Sequence, residues 1–530
     1  MSLAIGIDLG TTNCCVAIHK DGKTEIIENE NGKRTTPSFV FYSENGILVG
    51  HEAILRSVRI PENGIFDVKR LIGRKYDDPA VQKNKLMWPF EIIREHRNEP
   101  LIQLTQNGEI LELRPEEVCA EILKKLKNDA NRRTGMKIKN VVITVPAYFT
   151  NHQKQATEHA AKIAGFNVLK LISEPTAAAL AFAQDARDLK NRTVLVYDLG
   201  GGTFDVSLLK FNSDEGSVIG VGGNSNLGGR DFDNNLLNYC LKKIREQYQF
   251  SLVEQQSDNR RKSAIRRLKY SCEKVKKELT DLKRTSLDID EFFGTSIKID
   301  ITRELFESLN EHLFQKTIEI VDDVLKDAKI SKQKIDDVIL IGGSTRIPRI
   351  ETIVMDYFNR KTLNKTVNPD EAVAIGAALQ ASYLSNSPLQ CSHMYTLRDV
   401  TPFSIGLEVA DHTMSVIIKK NERIPTMGEK KYKTSYNKQR EVNLRLFEGE
   451  NKYVKDNIAL GELKISGITP KKAGEVEINV CVHVDLNGIV NITATETSQN
   501  TTKKLVIDLK SRRLTHEEIS KIRANKTLYK

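Results

Sequence analysis

The chain has 530 residues, with 80 Lys and Arg against 70 Asp and Glu for a net charge of +10, and 39% of it is hydrophobic. At ~150 residues per domain, that length suggests three to four domain-sized units, and the hydrophobic share excludes global disorder and a collagen-like repeat. The charge excess is small beside a charged fraction of 28%, so it describes a solvated surface and gives no reason to expect a nucleic-acid partner.

The seven cysteines, Cys14, Cys15, Cys119, Cys240, Cys272, Cys391 and Cys481, form no C-x-x-C. Their spacing fits neither a zinc site nor a disulfide frame, and they read as reduced thiols. No stretch approaches the ~20 apolar residues of a membrane span. The first residues form a strand-like run without a signal-peptide pattern. Together these features predict a cytoplasmic protein, with the nucleus as the other compartment, and no membrane partner.

In chain order, the runs at 141–145, 194–197 and 338–341 are β-branched and end at Pro, Asp or Gly. Each precedes a helix-like stretch, which predicts an α/β architecture. Residues 232–284 read as one long helical tract rich in Lys and Arg. Residues 385–388 read as a helix stop. From 399 to 510 the period becomes two: Val476, Ile478, Val480, Val482 and Val484 share a face, as do Val442, Leu444 and Leu446, and Leu505, Ile507 and Leu509. With a turn signal at 485–488, this predicts an antiparallel β module with one buried face. Leu514 to the end predicts one short helix, opened by Thr515 with Glu518 three residues on.

Three glycine-rich turns follow apolar strands, at 8–13 (DLGTTN), 198–205 (DLGGGTFD) and 341–348 (IGGSTRIP). Glycine lets backbone N–H groups come close to phosphate oxygens, and the hydroxyls add donors. Asp8, Asp198 and Asp205 stand where carboxylates can hold a hydrated Mg2+ against those phosphates. The Asp-x-Gly pattern occurs twice and predicts two similar lobes, each giving a turn to one nucleotide. A P-loop sequence is absent.

These turns resemble those of the actin, sugar-kinase and heat-shock ATPase superfamily. The motifs at 67–74 (DVKRLIGR), 145–149 (VPAYF), 174–179 (EPTAAA), 227–233 (LGGRDFD) and 368–372 (NPDEA) narrow the resemblance to the 70-kilodalton heat-shock chaperones. It runs in order from residue 3 to about residue 513. It implies a two-lobed, actin-like α/β ATPase domain at 1–385, a linker at 386–398, an all-β peptide-binding sandwich at 399–510 and a short C-terminal helix at 511–530.

By the same resemblance, the ligands are ATP or ADP, Mg2+ and K+, and the activity is hydrolysis of ATP. Asp8, Asp198 and Asp205 match the carboxylates around the metal, largely through water. Lys69 matches the lysine that positions the attacking water, Glu174 an outer carboxylate of the metal, and Thr203 a hydroxyl beside the γ-phosphate. Gly10, Thr11, Thr12 and Asn13, with Gly201, Gly202 and Thr203, match the phosphate turns. Glu273, Lys276, Lys277, Thr280, Gly343, Ser344, Thr345, Arg346 and Asp370 match the adenosine pocket. Three residues of this domain depart from the family pattern, one of them Asn13 in place of the tyrosine usual in eukaryotic members. Lys277 stands in place of an arginine that lies against adenine, and Arg230 stands where an acidic residue is usual. A lysine lacks the planar guanidinium of arginine, so altered ATP affinity is expected.

The sandwich resemblance rests on the run opening at Asp399, on 447–450 (FEGE) and on 487–489 (NGI). It implies a groove for extended apolar peptides lined by Leu407, Val409, Ala410, Tyr432, Ser435, Val442, Leu444 and Ile478. Such peptides bind by backbone hydrogen bonds with one apolar side chain in a pocket worth ~1.5–3 kcal/mol. The implied partners are unfolded polypeptides, a J-domain co-chaperone and a nucleotide-exchange factor. Thr396 and Arg398 replace aliphatic residues of the family's linker, which is expected to weaken its docking. The family's helical lid is represented by a single helix, so bound peptide is expected to leave quickly.

The resemblance therefore implies an ATP-dependent chaperone that assists folding. A nucleotide-binding regulatory co-chaperone with weak coupling is the alternative favoured by the divergent linker. A small-molecule kinase on the same fold is disfavoured by the β module and by the lack of a recognisable acceptor site.

Overall fold

The computed structural model describes residues 3–185, 189–212, 215–248, 258–292, 295–385, 396–496, 505–507 and 514–525. Most of the linker reading, and with it Cys391, lies outside the described residues, as does Leu509.

Each lobe of the first module is built on a β-hairpin followed by parallel strands. In the first lobe, Ala4–Asp8 runs antiparallel to Asn13–Lys20 and parallel to Asn140–Val145, which pairs in turn with Asn167–Ser173. In the second, Thr193–Leu199 runs antiparallel to Phe204–Phe211 and parallel to Asp337–Ile341. The repeated Asp-x-Gly signal thus marks two equivalent hairpin turns. The β-branched strands of both sheets are almost wholly buried, as strands covered on both faces must be.

Two helices, Glu174–Asp185 and Ala372–Leu384, pack together between the lobes. Their alanines and glycine permit unusually close backbones. A Cβ at Gly376 would sit 1.7 Å from the Ala177 carbonyl oxygen, so only glycine fits. The basic tract at 232–284 is two helices, Gly229–Tyr248 and Asp258–Glu278, rather than one. Leu236, Cys240 and Ile244 of one face Ala264, Leu268 and Cys272 of the other within the same core, which a single straight helix could not achieve.

The second module is two antiparallel sheets packed face to face. One contains Met414–Ile418, Ile405–Glu408, Glu441–Glu448 and Ile458–Ser466; the other contains Thr426–Lys433, Glu477–Val484, Val490–Glu496 and Leu505–Ile507. Val476, Ile478, Val480, Val482 and Val484 are all buried between them, as their period of two predicts.

The expectation of weak linker docking does not hold. Thr396–Arg398 adds to the second-lobe sheet as an edge strand parallel to Glu215–Asn224. Only Leu397 of the three points inward, where it is buried against Phe211 and its neighbours; Thr396 and Arg398 face outward, and Arg398 pairs with Glu215. A strand needs an apolar side chain only at alternate positions, so the polar replacements cost the docked state little.

The sandwich itself lies against the first module. The Asn151 backbone N–H donates to Glu448 Oε1 at 3.1 Å, and Asn151 Oδ1 accepts from the Val490 N–H at 3.0 Å. Asn487, from the turn read at 485–488, accepts from the Leu171 N–H at 3.0 Å. Tyr148 packs on Phe403 with ring centroids 4.4 Å apart, and Lys420 pairs with Asp327 at 2.8 Å. The final helix, His516–Asn525, carries the capping box read from Thr515 and Glu518, and Leu514 and Ile519 join the first-lobe core.

Burial raises the Glu448 carboxyl from 4.5 to about 7, against the pull of the Asn151 N–H and of Lys154. A carboxyl raised by docking favours the docked state fully below its free value and loses that contribution as pH rises through about 7. Lys154, itself lowered by burial, faces Glu448 with Asp399 and Asp485. Docking is therefore expected to weaken between pH 5 and 7 (about the span of the Glu448 shift) and Glu448→Gln to flatten that slope. Amide exchange at Asn151 in the full chain, at fixed nucleotide, reads it; an unchanged slope in the variant would assign the titration elsewhere.

Candidate functional site

A cleft of about 440 Å³ opens between the lobes, and the three glycine turns line it. The two hairpin turns meet there. Cβ atoms at Gly201 and Gly202 would collide with the side chains of Thr12 and Thr11, so glycine is what lets the turns touch. The second turn is braced from behind: the Gly229 and Arg230 N–H groups donate to the Gly200 and Gly201 carbonyls at 3.0 and 2.8 Å. Ser344, from the third turn, donates to the Gly200 carbonyl at 2.9 Å. The Thr12 hydroxyl is buried without a partner among the described residues, a donor held ready for a ligand.

Asp8 ends the first strand of its hairpin, and Asp198 lies near the end of the corresponding strand, in register with Asp205. All three are deeply placed. Burial and the charge of Glu174 raise Asp8 and Asp205 to about 7, although Lys69 pulls both back. Burial, Glu174 and Asp205 raise Asp198 well above the ordinary carboxylate range. Asp205 accepts from the Tyr148 N–H at 3.0 Å with one oxygen, and its other oxygen is buried without a partner among the described residues. Such a set is short of positive charge and fits a hydrated cation. Among the described residues, no three His, Cys, Asp or Glu side chains converge closely enough to ligate a metal directly.

Lys69 comes from a short turn, Val68–Arg70, that follows Asp67 in a left-handed conformation. Its ammonium donates to the Leu9 carbonyl at 2.6 Å and pairs with Glu174, the first residue of a helix. Burial opposes its charge, but Glu174 and Asp8 more than offset that and raise it above the ordinary lysine range.

At the other end, Glu273, Lys276, Lys277 and Thr280 face Gly343, Ser344, Arg346 and Asp370 across the cleft. Arg346 pairs with Asp370 at 2.7 Å. Glu273 receives Lys277 at 2.7 Å and Arg230 at 2.8 Å, and Lys276 pairs with Asp233 at 2.8 Å. Burial works against the charge of Glu273, but Arg230, Lys276 and Lys277 hold its carboxyl well below the usual range. Arg230 also reaches Asp67 of the first lobe at 3.3 Å, so it spans the cleft.

Of the residues expected at this site, Gly202, Thr345 and Asp205 do not line the cleft. Gly202 packs on Thr11, Thr345 donates to the Gly342 carbonyl at 2.7 Å, and Asp205 lies behind Asp198. Sequence reasoning missed Arg70. Its side chain is 2% exposed, donates to the Gly202 carbonyl at 3.0 Å and pairs with Asp231. Both residues stand inside motifs already singled out, at 67–74 and 227–233, but nothing in either motif says that they meet. The groove residues are dispersed. Leu407, Leu444 and Ile478 are buried in the sandwich core, Tyr432 and Val442 are partly buried against it, Val409 is intermediate, and Ala410 and Ser435 are exposed.

A family model described as Hsp70 protein matches residues 4–530. Heat shock 70 kDa protein 2 of Paracoccidioides lutzii is 43% identical over 532 residues, covering 100% of this chain and 80% of its own length. Heat shock 70 kDa protein of Neurospora crassa is also 43% identical, with 81% of its length covered. A ribosome-associated molecular chaperone of Eremothecium gossypii is 42% identical, over 98% of this chain and 84% of its own length.

Because Arg70 supports the second glycine turn, Arg70→Met leaves Asp231 and the Gly202 carbonyl without this partner. Breaking a buried pair from one side costs about 3–5 kcal/mol. The variant is expected to melt at lower temperature and to bind ADP more weakly, and Arg70→Met with Asp231→Asn is expected to lose less than the sum of the single changes. Differential scanning calorimetry of the three variants checks this.

Proposed function

The chain belongs to the Hsp70 protein family, and on that premise we propose that the interlobe cleft hydrolyses ATP and drives a cycle of peptide binding in the sandwich. The protein is an Hsp70-type ATP-dependent chaperone; its residue roles are this proposal. The observation that carries them is the convergence of Lys69, Glu174, Asp8 and Asp198 with two facing glycine turns on one cleft.

The N–H groups of residues 10–13 and of Gly201 and Thr203, with the Thr11, Thr12 and Thr203 hydroxyls, hold the phosphates. Asp8 and Asp198, which line the cleft, would hold hydrated Mg2+, with Asp205 behind Asp198 adding negative charge, and K+ is the second cation for which that charge provides. A bound magnesium ion neutralises phosphate charge. Lys69, kept charged and oriented by Glu174 and the Leu9 carbonyl, places the attacking water in line with the γ-phosphate. Hydrolysis of this kind is mostly positioning and charge stabilisation. Glu273, Lys276 and Lys277 take the ribose side, and Lys277, lacking a flat guanidinium, holds adenine less firmly than arginine would.

Extended apolar segments of unfolded polypeptides bind the sandwich beside Val409, Tyr432 and Val442, with Leu407, Leu444 and Ile478 shaping the floor. The docked Leu397 strand and the contacts around Asn151 give the ATPase a physical route to the sandwich, which favours the chaperone over the uncoupled co-chaperone. A J-domain protein and an exchange factor complete the cycle. The ribosome-associated relative fits a cytoplasmic setting, and nothing in the comparisons favours the nucleus.

Single-turnover ATP hydrolysis by the full chain, with and without a saturating extended apolar peptide, tests this reading. Acceleration by peptide is expected, and indifference to peptide would overturn the coupling. Lys69→Ala is expected to lose about 100-fold or more in the hydrolytic step while still binding nucleotide. Leu397→Asp is expected to keep basal hydrolysis and lose the response to peptide, because a charge cannot occupy the buried linker position.

A further inference from the structure

A second cavity, of about 550 Å³, lies beside the nucleotide cleft and shares Thr12, Asn13, Arg230, Glu273 and Lys277 with it. Its inner wall is apolar, formed by Phe39, Ile54, Leu55, Val58 and Phe66. Its charged groups are five cations, Arg230, Arg266, Arg267, Lys269 and Lys277, against the acids Glu273, Asp288 and Asp290. Lys269, on the helix Asp258–Glu278, lines the cavity and is 7% exposed. It makes no hydrogen bond or ion pair among the described residues; its ammonium stands over the Phe66 ring, 5.5 Å from the centroid.

Three of the surrounding acids are engaged with other cations. Asp67 accepts Arg230, Asp233 pairs with Lys276, and Glu273 is shared by Arg230 and Lys277. Asp288 and Asp290 lie at the rim of the same cavity. Arg266, over the Phe39 ring at 5.1 Å, spends its guanidinium on Ser57 and the Ile54 carbonyl, with no carboxylate partner among the described residues. Burial lowers Lys269 from its ordinary range, Asp67 and Asp233 resist this, and Arg230 and Arg70 reinforce it. With arginine rather than an acid at 230, one more cation faces this space.

A buried charge is stable only when it is paired, and among the described residues Lys269 is not. We propose that this cavity is a binding site for a small organic acid, whose flat apolar body lies against Phe39, Phe66 and Leu55 and whose carboxylate takes the Lys269 ammonium. The apolar wall supplies the area, and the unpaired cation supplies the selectivity for an anion over its neutral analogue. Since Arg230, Glu273 and Lys277 form the partition, the occupant and the nucleotide press on the same three side chains from opposite sides.

The probe is 2-naphthoate, with neutral 2-naphthamide as its analogue, titrated by calorimetry into the full chain saturated with ADP and Mg2+. Naphthoate is expected to bind about tenfold or more tightly than naphthamide, the worth of one charge-assisted hydrogen bond. Lys269→Gln is expected to abolish the preference and Lys269→Arg to keep it. Leu55 is 60% exposed, so Leu55→Glu alters the mouth without disturbing the core and is expected to weaken naphthoate binding. Four outcomes overturn the proposal: no binding of naphthoate, equal affinity for the acid and the amide, an unchanged preference in Lys269→Gln, or binding seen only without ADP, which would place the ligand in the adenosine pocket.

Discussion

The structure turns on an imbalance of buried charge. Asp8, Glu174, Asp198 and Asp205 are all sunk at the junction of the lobes, and Lys69 is the cation among them. Burial first, and then the charges of the neighbouring carboxylates, raise three of them above their free values. The arrangement is costly for an empty protein and fitting for one that binds a cation and a polyphosphate together. The facing glycine turns, the brace from residues 227–230 and the Arg70–Asp231 pair all hold this junction in shape.

The rest of the molecule hangs from the same junction. Glu174 opens the helix Glu174–Asp185, which packs without side-chain spacing on Ala372–Leu384. Thr176, in the first turn of that helix, donates to Asp399 at the start of the sandwich at 3.2 Å. The strand carrying Asp205 pairs with Glu215–Asn224, and that strand pairs with the linker. The cleft is therefore joined to the linker and to Asp399 through no more than two elements. Tight packing of this sort moves as discrete rearrangements rather than by gradual deformation.

Much of the cleft's lining was legible in the sequence because glycine turns are local. A hairpin turn is a few consecutive residues, and glycine with a hydroxyl neighbour announces it. Asp8, Asp198, Lys69, Glu273, Lys276, Lys277 and Thr280 all come to one cleft. Period two also marked the sandwich core, since alternate residues of a strand share a face. Arg70 and the cleft-spanning role of Arg230 were not legible. Each depends on a partner more than 150 residues away, Asp231 for the one and Asp67 for the other. The polar linker misled for a related reason: residue type suggested weakness, whereas the outward orientation of Thr396 and Arg398 is set by the strand they join.

What the sequence determined by itself were the turns, the alternation of buried and exposed positions, the capping box at Thr515 and the inventory of charges. Each depends on residues a few positions apart, whose geometry the backbone alone dictates. The tertiary structure decided which charges meet. It gave Asp67 and Glu273 to Arg230, Asp233 to Lys276 and Glu174 to Lys69, and left Lys269 buried without a partner among the described residues. Pairing among buried charges is a competition for a few partners in a confined space, and its outcome is set by distances that only the folded chain defines.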